Sequence, residues 1–334
     1  MNPGVPNWAT ASDELRQVYA VIQAEMEEIE DALRRELKSS CQFIDRMLKH
    51  GFQLGGKRLR PALVVLAGKF GGRVTPDHIT IATAIELVHT ASLIHDDVLD
   101  EAVIRRHLDT VNARWDNEAS VLLGDYLLAR AICLAGSLDT MDACREIAKA
   151  SHHMCHGELR QIATRGHYEL GEDEYLNIIS EKTASLYAAC GRLGARYAGA
   201  DPDVCERFAR FGINLGIAFQ IVDDILDIWG DEGKMGKSLG TDLCKQKPTL
   251  PLIYLLESLG ETERSEVVAT LRDHRDGFRS SIRSWLVQTD AMARAERKAQ
   301  SFVLKALEVL DPLPQNPATA ALRQLAEFVC HREQ

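Results

Sequence analysis

Between Pro76 and Pro202 lie 125 residues without a single proline. Proline removes a backbone donor and clashes with the preceding helical turn, so a gap of this length favours long helices. Within it, the segment 79–103 sets Ile81, Ile85 and Val88 at helical spacing on a background of Ala, Leu and Glu. Strand signals are nearly absent: no Asn-Gly or Asp-Gly turn separates alternating β-branched runs, and aromatics make up only 6% of the chain. Periodicity and end signals predict helices over about 13–38, 40–51, 58–69, 77–104, 117–136, 141–164, 172–198, 203–229, 249–258, 263–285, 290–309 and 317–331. The expected fold class is all-α. The punctuating stretches 68–72, 199–202 and 311–314 are too short for linkers, so 1–334 reads as one domain with 1–12 as a flexible tail.

Composition narrows the function classes. Lys and Arg number 39 against 49 Asp and Glu, a formal charge of −10, which is the wrong field for a general nucleic-acid binder. No uninterrupted apolar stretch, such as 62–67, approaches the ~20 residues a membrane span needs. The first twelve residues have neither a basic start nor an apolar core, so no secretory signal is read there and a cytoplasmic protein is expected. Eight cysteines scattered from Cys41 to Cys330 without a Cys-x-x-Cys pair are expected to be free thiols.

Two carboxylate clusters carry the chemistry. Leu93-Ile-His-Asp-Asp-Val-Leu-Asp100 puts Asp96 and Asp100 one helical turn apart with Asp97 between them. Gln220-Ile-Val-Asp-Asp-Ile-Leu-Asp227 repeats the pattern with Asp223, Asp224 and Asp227, and Gln220 one turn upstream. Residues four apart share a helix face, so each cluster aims two carboxylates at one point. Oxygen-only donors suit Mg²⁺, which shares its remaining positions with water and substrate phosphates. One such cluster alone could be a solvated face. Two of them, each flanked by core-type residues, would repel and lose hydration unless a cation compensates.

Basic residues complete an anion site. Gly55-Gly-Lys-Arg-Leu-Arg-Pro61 presents Lys57, Arg58 and Arg60 at a helix start, where free N–H groups favour a phosphate. Arg105 and Arg106 follow Asp100 and could take phosphate oxygens. The stretch 230–240, with four glycines and two lysines, reads as a mobile loop able to close over an anion. Ser151-His-His-Met-Cys-His156 could in principle bind zinc, but its ligands are crowded rather than spaced to converge, and packing or surface roles are the better reading. His95 is read as supporting the site rather than touching substrate.

Taken together these pieces resemble the trans-prenyl diphosphate synthases along almost the whole chain. The match includes Glu86-Leu-Val-His-Thr-Ala-Ser-Leu-Ile-His95, Gly124-Asp-Tyr-Leu-Leu-Ala-Arg130, Gly157-Glu-Leu-Arg-Gln161, Lys182-Thr183, and Asp242 through Lys247-Pro-Thr-Leu-Pro-Leu252. The resemblance implies a bundle of long helices around a deep cavity, as a homodimer. It implies that Asp96, Asp97, Asp100, Asp223, Asp224 and Asp227 hold a group of three Mg²⁺ ions on the diphosphate of an allylic substrate. Arg105, Lys182, Lys237 and Lys247 would bind that same diphosphate, and Lys57, Arg60, His89 and Arg106 would bind isopentenyl diphosphate. Lys182, Thr183 and Gln220 would line the reacting centre. The chain departs from the family pattern at His107, Leu108, Asp109 and Thr110, at Asp116, and at Gln246, where the family commonly has Gly.

The implied chemistry is head-to-tail condensation. Charge compensation lets the allylic C–O bond break, the double bond of isopentenyl diphosphate attacks the cation, and a proton is lost to the released diphosphate. No side-chain nucleophile is required. The product tail should run back along the helix of the first aspartates, where family members with short products carry a bulky aromatic. Here Ala91, Ser92 and, one turn deeper, Val88 stand in its place, so a medium or long polyprenyl product is expected, with geranylgeranyl diphosphate as the shorter alternative. A class I terpene cyclase shares the ionisation but does not need the Lys57, Arg60 and His89 site. A di-iron bundle requires two Glu-x-x-His motifs, and only Glu86 with His89 occurs. A non-catalytic subunit of a heteromeric synthase stays open.

Overall fold

A computed structural model describes residues 12–53, 56–230, 240–273 and 277–331. The N-terminal tail expectation therefore falls almost entirely outside the described residues, as do Gly55, the 231–239 part of the glycine-rich loop and Lys237.

The chain folds into helices, as the proline gap requires. They are α1 (Asp13–Ala20), α2 (Gln23–Glu36), α3 (Gln42–Gln53), α4 (Leu59–Phe70), α5 (Pro76–Leu99), α6 (Val111–Arg114), α7 (Asn117–Gly136), α8 (Asp142–Ala163), α9 (Glu172–Ile179), α10 (Ser185–Tyr197) and α11 (Pro202–Trp229). The C-terminal third adds α12 (Thr241–Cys244), α13 (Leu250–Ser258), α14 (Glu261–Asp273), α15 (Phe278–Gln288), α16 (Ala291–Leu310) and α17 (Pro317–His331). The helix expected over 13–38 is broken at Val21 and Ile22, a bend that keeps Val18, Ile22 and Met26 all inside the core.

α4, α5, α10 and α11 form the centre, with α7 along α5, α16 along α11, and α17 across α1 and α4. α4 is buried from Leu59 to Gly68, the pattern of a helix apolar on every side and enclosed by others. α10 and α11 touch backbone to backbone: a Cβ at Gly212 would overlap the Tyr187 carbonyl, and one at Gly191 the Phe208 carbonyl. This close crossing brings the Lys182 and Thr183 segment against α11. That segment, Ser180–Ala184, is a wider π turn between α9 and α10, a local form often found at functional sites.

α5 begins with Pro76 behind a capping box in which Thr75 and His78 satisfy each other's backbone donors. It ends at Leu99, short of the expected 104. Ile104–Arg105 and Leu108–Asp109 instead pair as an antiparallel hairpin in the register Arg105↔Leu108. Its two-residue turn is Arg106 and His107, both left-handed at φ 53° and 63°. Tight hairpins demand this twist, and sequence patterning missed it because the turn carries no Gly or Asn. His50 anchors the hairpin: its Nδ1 accepts from Arg114, so its Nε2–H donates to the Asp109 carbonyl at 2.7 Å. Replacing His107 with Gly is expected to raise stability by up to about 1 kcal/mol in a thermal melt, because left-handed strain of roughly 1–2 kcal/mol is relieved and partly returned as unfolded-state entropy. Asp116, another departure, is the N-cap of α7 and accepts from Ala119 N at 2.7 Å.

By length and composition α7 is apolar enough to cross a membrane, although polar residues interrupt its apolar runs. Its buried residues, Leu123, Leu127, Ala131 and Ala135, lie in the bundle where it runs along α5. None of the eight cysteines is in a disulfide among the described residues.

Candidate active site

The first aspartate cluster sits in the last turns of α5 and the second near the end of α11. Asp97 is buried and accepts from Arg105 Nε at 2.8 Å; its carboxyl is raised by burial, against which Arg105 acts. Asp224 is also buried, and both its oxygens are taken, one by Gln220 Nε2 at 2.8 Å and one by the Tyr175 hydroxyl at 2.7 Å. Burial first, then Asp242, push the Asp224 carboxyl up to about 8. Asp227 accepts from Thr241 Oγ1 at 3.0 Å and from the Asp242 amide at 3.1 Å. The middle members of both clusters thus brace the site, while Asp96 and Asp100 share the half-buried face of α5.

One bridge ties the two clusters together. Lys247 lies 3.1 Å from both Asp100 Oδ1 and Asp242 Oδ1, and the amide of Asp242 is the one bound to Asp227. Burial opposes the Lys247 charge, but Asp242 and Asp100 override it and raise its pKa. Lys182 is held likewise: burial opposes its charge, while Asp96 and Glu158 raise its pKa, and its ammonium donates to Gln161 Oε1 at 2.7 Å. Asp96 itself is raised by burial, with Lys182 pulling the other way. Thr183 Oγ1 donates to Gln220 Oε1 at 2.7 Å, so these two predicted residues meet across the α10–α11 crossing.

A second group of basic residues gathers around His89. Arg60 Nη1 is 3.0 Å from His89 Nε2, and because a guanidinium can only donate, that ring nitrogen must be the acceptor. Burial first, then Arg60 and Arg106, hold His89 well below the usual imidazole range, which agrees with a neutral ring. Arg60 Nε is buried with no hydrogen-bond partner among the described residues, and the guanidinium stacks 4.4 Å over Tyr187. Lys57 Nζ stands 4.9 Å over the Phe328 ring. Arg106, at the hairpin tip, turns its guanidinium against Gly56, where desolvation followed by Arg105 and Arg58 lowers its pKa to about 10, still cationic at neutral pH.

Val88 and Ala91 are buried, and Ser92 is half-buried with its hydroxyl donated to the His89 carbonyl at 2.8 Å. His95 packs on Gly124 and reaches the Val121 carbonyl at 3.1 Å. His156 pairs with Glu181 at 2.8 Å, so that histidine is engaged on the surface of α8. Sequence reasoning assigned no role to Glu158, Gln161, Tyr175 or Asp242. Glu158, Gln161 and Asp242 lie inside motifs of the family resemblance, whereas Tyr175 meets Asp224 across 49 residues of chain and leaves no local signal.

Among the described residues no three His, Cys, Asp or Glu side chains are gathered so as to hold a metal unaided. Carboxylate oxygens that need phosphate and water to complete the shell fit Mg²⁺ in particular.

The polyprenyl synthetase family model matches residues 41–285. The chain is 36% identical over 319 residues to heptaprenyl diphosphate synthase component 2 of Geobacillus stearothermophilus, covering 96% of this chain and 99% of that one. It is 33% identical over 322 residues to the octaprenyl diphosphate synthase of Escherichia coli K12, again 96% and 99%. The polyprenyl synthase of Caulobacter crescentus CB15, solved in complex with calcium and isoprenyl diphosphate, superposes with a TM-score of 0.92 at 32% identity, over 96% of this chain and 98% of that one. With its paired aspartate clusters, its bridging lysine and its Arg60–His89 pair, this chain belongs to the polyprenyl synthetase family of prenyltransferases, which condense isopentenyl diphosphate with an allylic diphosphate.

Proposed function

We propose that this chain is a Mg²⁺-dependent, medium- to long-chain all-trans polyprenyl diphosphate synthase acting in the cytoplasm as a homodimer of one-domain subunits. The observation that carries the reading is the Asp100–Lys247–Asp242 bridge, which supports taking the two aspartate clusters as opposite walls of one diphosphate site. Asp96, Asp100 and Asp223 are the residues that would hold the metal, with Asp97, Asp224 and Asp227 fixing their surroundings. Bound Mg²⁺ supplies charge neutralisation for the departing diphosphate. Lys182, Lys247 and Arg105 add positive charge on the same side, and Lys237 joins them in this reading. Lys57, Arg60, His89 and Arg106 hold isopentenyl diphosphate, and the Thr183–Gln220 pair offers its oxygen dipoles to the allylic cation. The metal and diphosphate in the Caulobacter relative support this assignment.

The chain-length reading rests on α5. Ala91 lies about 7 Å along the helix axis from Asp96, and neither it nor Ser92 is large enough to close a cavity there. Relatives named heptaprenyl and octaprenyl synthases support a long product. Incubation with Mg²⁺, labelled isopentenyl diphosphate and allylic primers of increasing length is expected to give a ladder ending beyond about twenty carbons. Ala91→Phe should cut the ladder to roughly fifteen to twenty carbons, since a ring placed one to two turns below Asp96 fills the path. An unchanged ladder in that variant would remove the floor argument, and a wild-type stop at twenty would favour the geranylgeranyl reading.

The dimer reading rests on α7, whose outer face exposes Val121, Leu122, Tyr126 and Ile132 beside Leu159 of α8. The relative named as a component of heptaprenyl synthase supports a second reading, in which a different subunit covers this face. Elongation by the purified chain alone, as a dimer in light scattering, favours the first; inactivity of the lone chain favours the second.

A further inference from the structure

The turn after α8 carries a cation to which none of the roles above applies. Arg165 Nε and Nη2 are buried and make no hydrogen bond among the described residues. Among the described residues the nearest carboxylate oxygen is Asp100 Oδ1, at 4.0 Å from Nη2, beyond hydrogen-bond reach. That same oxygen is already 3.1 Å from Lys247. A charged donor buried without an acceptor is costly, and more so for a guanidinium than for a neutral group. Native chains keep such donors where another group completes them. A guanidinium has five donors and no acceptor, so the missing group is an acceptor, and the charge on Arg165 favours an anionic one.

The backbone explains why Arg165 and Lys247 converge. Gly166 N donates to the Gln246 carbonyl at 2.9 Å, joining the turn that follows α8 to the turn that precedes α13. Both residues of this bond are left-handed, Gly166 at φ 73° and Gln246 at φ 53°. A Cβ at Gly166 would lie 2.9 Å from Gln246 Oε1, so the two turns are pressed together. Arg165 and Lys247 each adjoin this bond, and their side chains leave it as two arms reaching the same Asp100 carboxylate. Gln246, where glycine is common in the family, is thus part of the joint that sets the arms.

We propose that Arg165 is a substrate-binding residue of the allylic half-site: its Nε–H and Nη2–H take oxygens of an organic diphosphate, and of the inorganic diphosphate left after condensation. This rests on the diphosphate reading of the cleft and adds a residue to it. The planar fork of a guanidinium matches two phosphate oxygens at once, which a lysine cannot do. Arg165 is absent from the Arg60, His89 and Lys57 site, so its contribution is confined to one of the two substrates.

The test is calorimetric titration of the full-length chain with inorganic diphosphate plus Mg²⁺ and, separately, with isopentenyl diphosphate, alongside KM for both substrates. In Arg165→Met, inorganic diphosphate should bind about tenfold or more weakly, and the allylic KM should rise in step, from loss of charge-assisted hydrogen bonds. Isopentenyl diphosphate binding should stay within about twofold. Arg165→Lys should recover part of the loss, since charge returns without the fork. A folded Arg165→Met chain that binds inorganic diphosphate like wild type overturns the proposal, and so does equal weakening for both ligands. Should the Met variant fail to fold, Arg165→Gln is read by the same two criteria. A wild-type chain that binds no inorganic diphosphate with Mg²⁺ would remove the diphosphate reading itself, an outcome distinct from an unaffected variant.

Discussion

Asp96→Ala and Asp223→Ala are each expected to lower turnover by roughly 10²–10³-fold or more while the far-ultraviolet circular dichroism spectrum and the melting temperature stay close to wild type. The catalytic loss follows from the chemistry: ionising the allylic C–O bond places new negative charge on a diphosphate, and these carboxylates would hold the cations that meet it. The small effect on folding follows from the ligand-free packing. Asp96 is a carboxyl that burial already disfavours, crowded by Glu158 and Asp100. Removing it leaves Lys182 paired with Glu158 and bonded to Gln161, so no cation is stranded. Single-turnover elongation measured beside thermal melts separates the two effects. Normal activity in both variants would remove the metal-cluster mechanism, and a collapse of the melt in step with activity would assign the aspartates a structural role instead.

Arg58→Met is expected to destabilise the fold by ~3–5 kcal/mol, the largest stability loss we foresee for a single replacement. Arg58 is enclosed, with its side chain 2% exposed, and it bonds Glu30 of α2 at 2.8 Å and Glu86 of α5 at 2.6 Å. Burial opposes its charge, yet Glu86 and Glu30 more than compensate and raise its pKa. Methionine would leave two buried carboxylates with no cation between them. Arg58 is also left-handed at φ 59°, so the ion pairs hold a backbone turn that most residues avoid. That turn carries Lys57 on one side and Arg60 two residues on, while Glu86 lies one helical turn before His89. Loss of the triad should therefore also raise the KM for isopentenyl diphosphate. The triple change Arg58→Met, Glu30→Gln, Glu86→Gln should recover much of the stability, because no unpaired charge remains. Equilibrium denaturation with urea reads both outcomes. A loss below about 1 kcal/mol in Arg58→Met would mean that water reaches the triad.

The local part of this architecture was legible in the residues. Helical spacing placed α7 at 117–136, where the structure has Asn117–Gly136, and the end of α11 at 229, because apolar periodicity and caps act within a few turns. The four-residue spacing of Asp96 with Asp100, and of Asp223 with Asp227, defined two carboxylate faces before any tertiary contact was known. Arg60 and His89 were paired by resemblance, and they meet at 3.0 Å. The hairpin at Arg106 and His107 was not legible, since its turn type ordinarily announces itself by Gly or Asn, and here the surrounding contacts hold two ordinary side chains in left-handed backbone.

The sequence by itself determined that the chain is helical, where most helices lie, and which residues could bind a metal or a phosphate, because these depend on interactions between residues a few positions apart. Only the tertiary structure decided how those residues divide their labour. Asp97 and Asp224 are drawn to Arg105, Gln220 and Tyr175, Lys247 joins Asp100 to Asp242 across more than a hundred residues, and Arg165 is left with buried donors facing the same cleft. The Tyr175–Asp224 contact, the Lys247 bridge and the placement of Arg165 depend on which helix lies beside which. That arrangement is set by the burial of the whole core and by backbone contacts such as the α10–α11 crossing, which no spacing within one segment encodes.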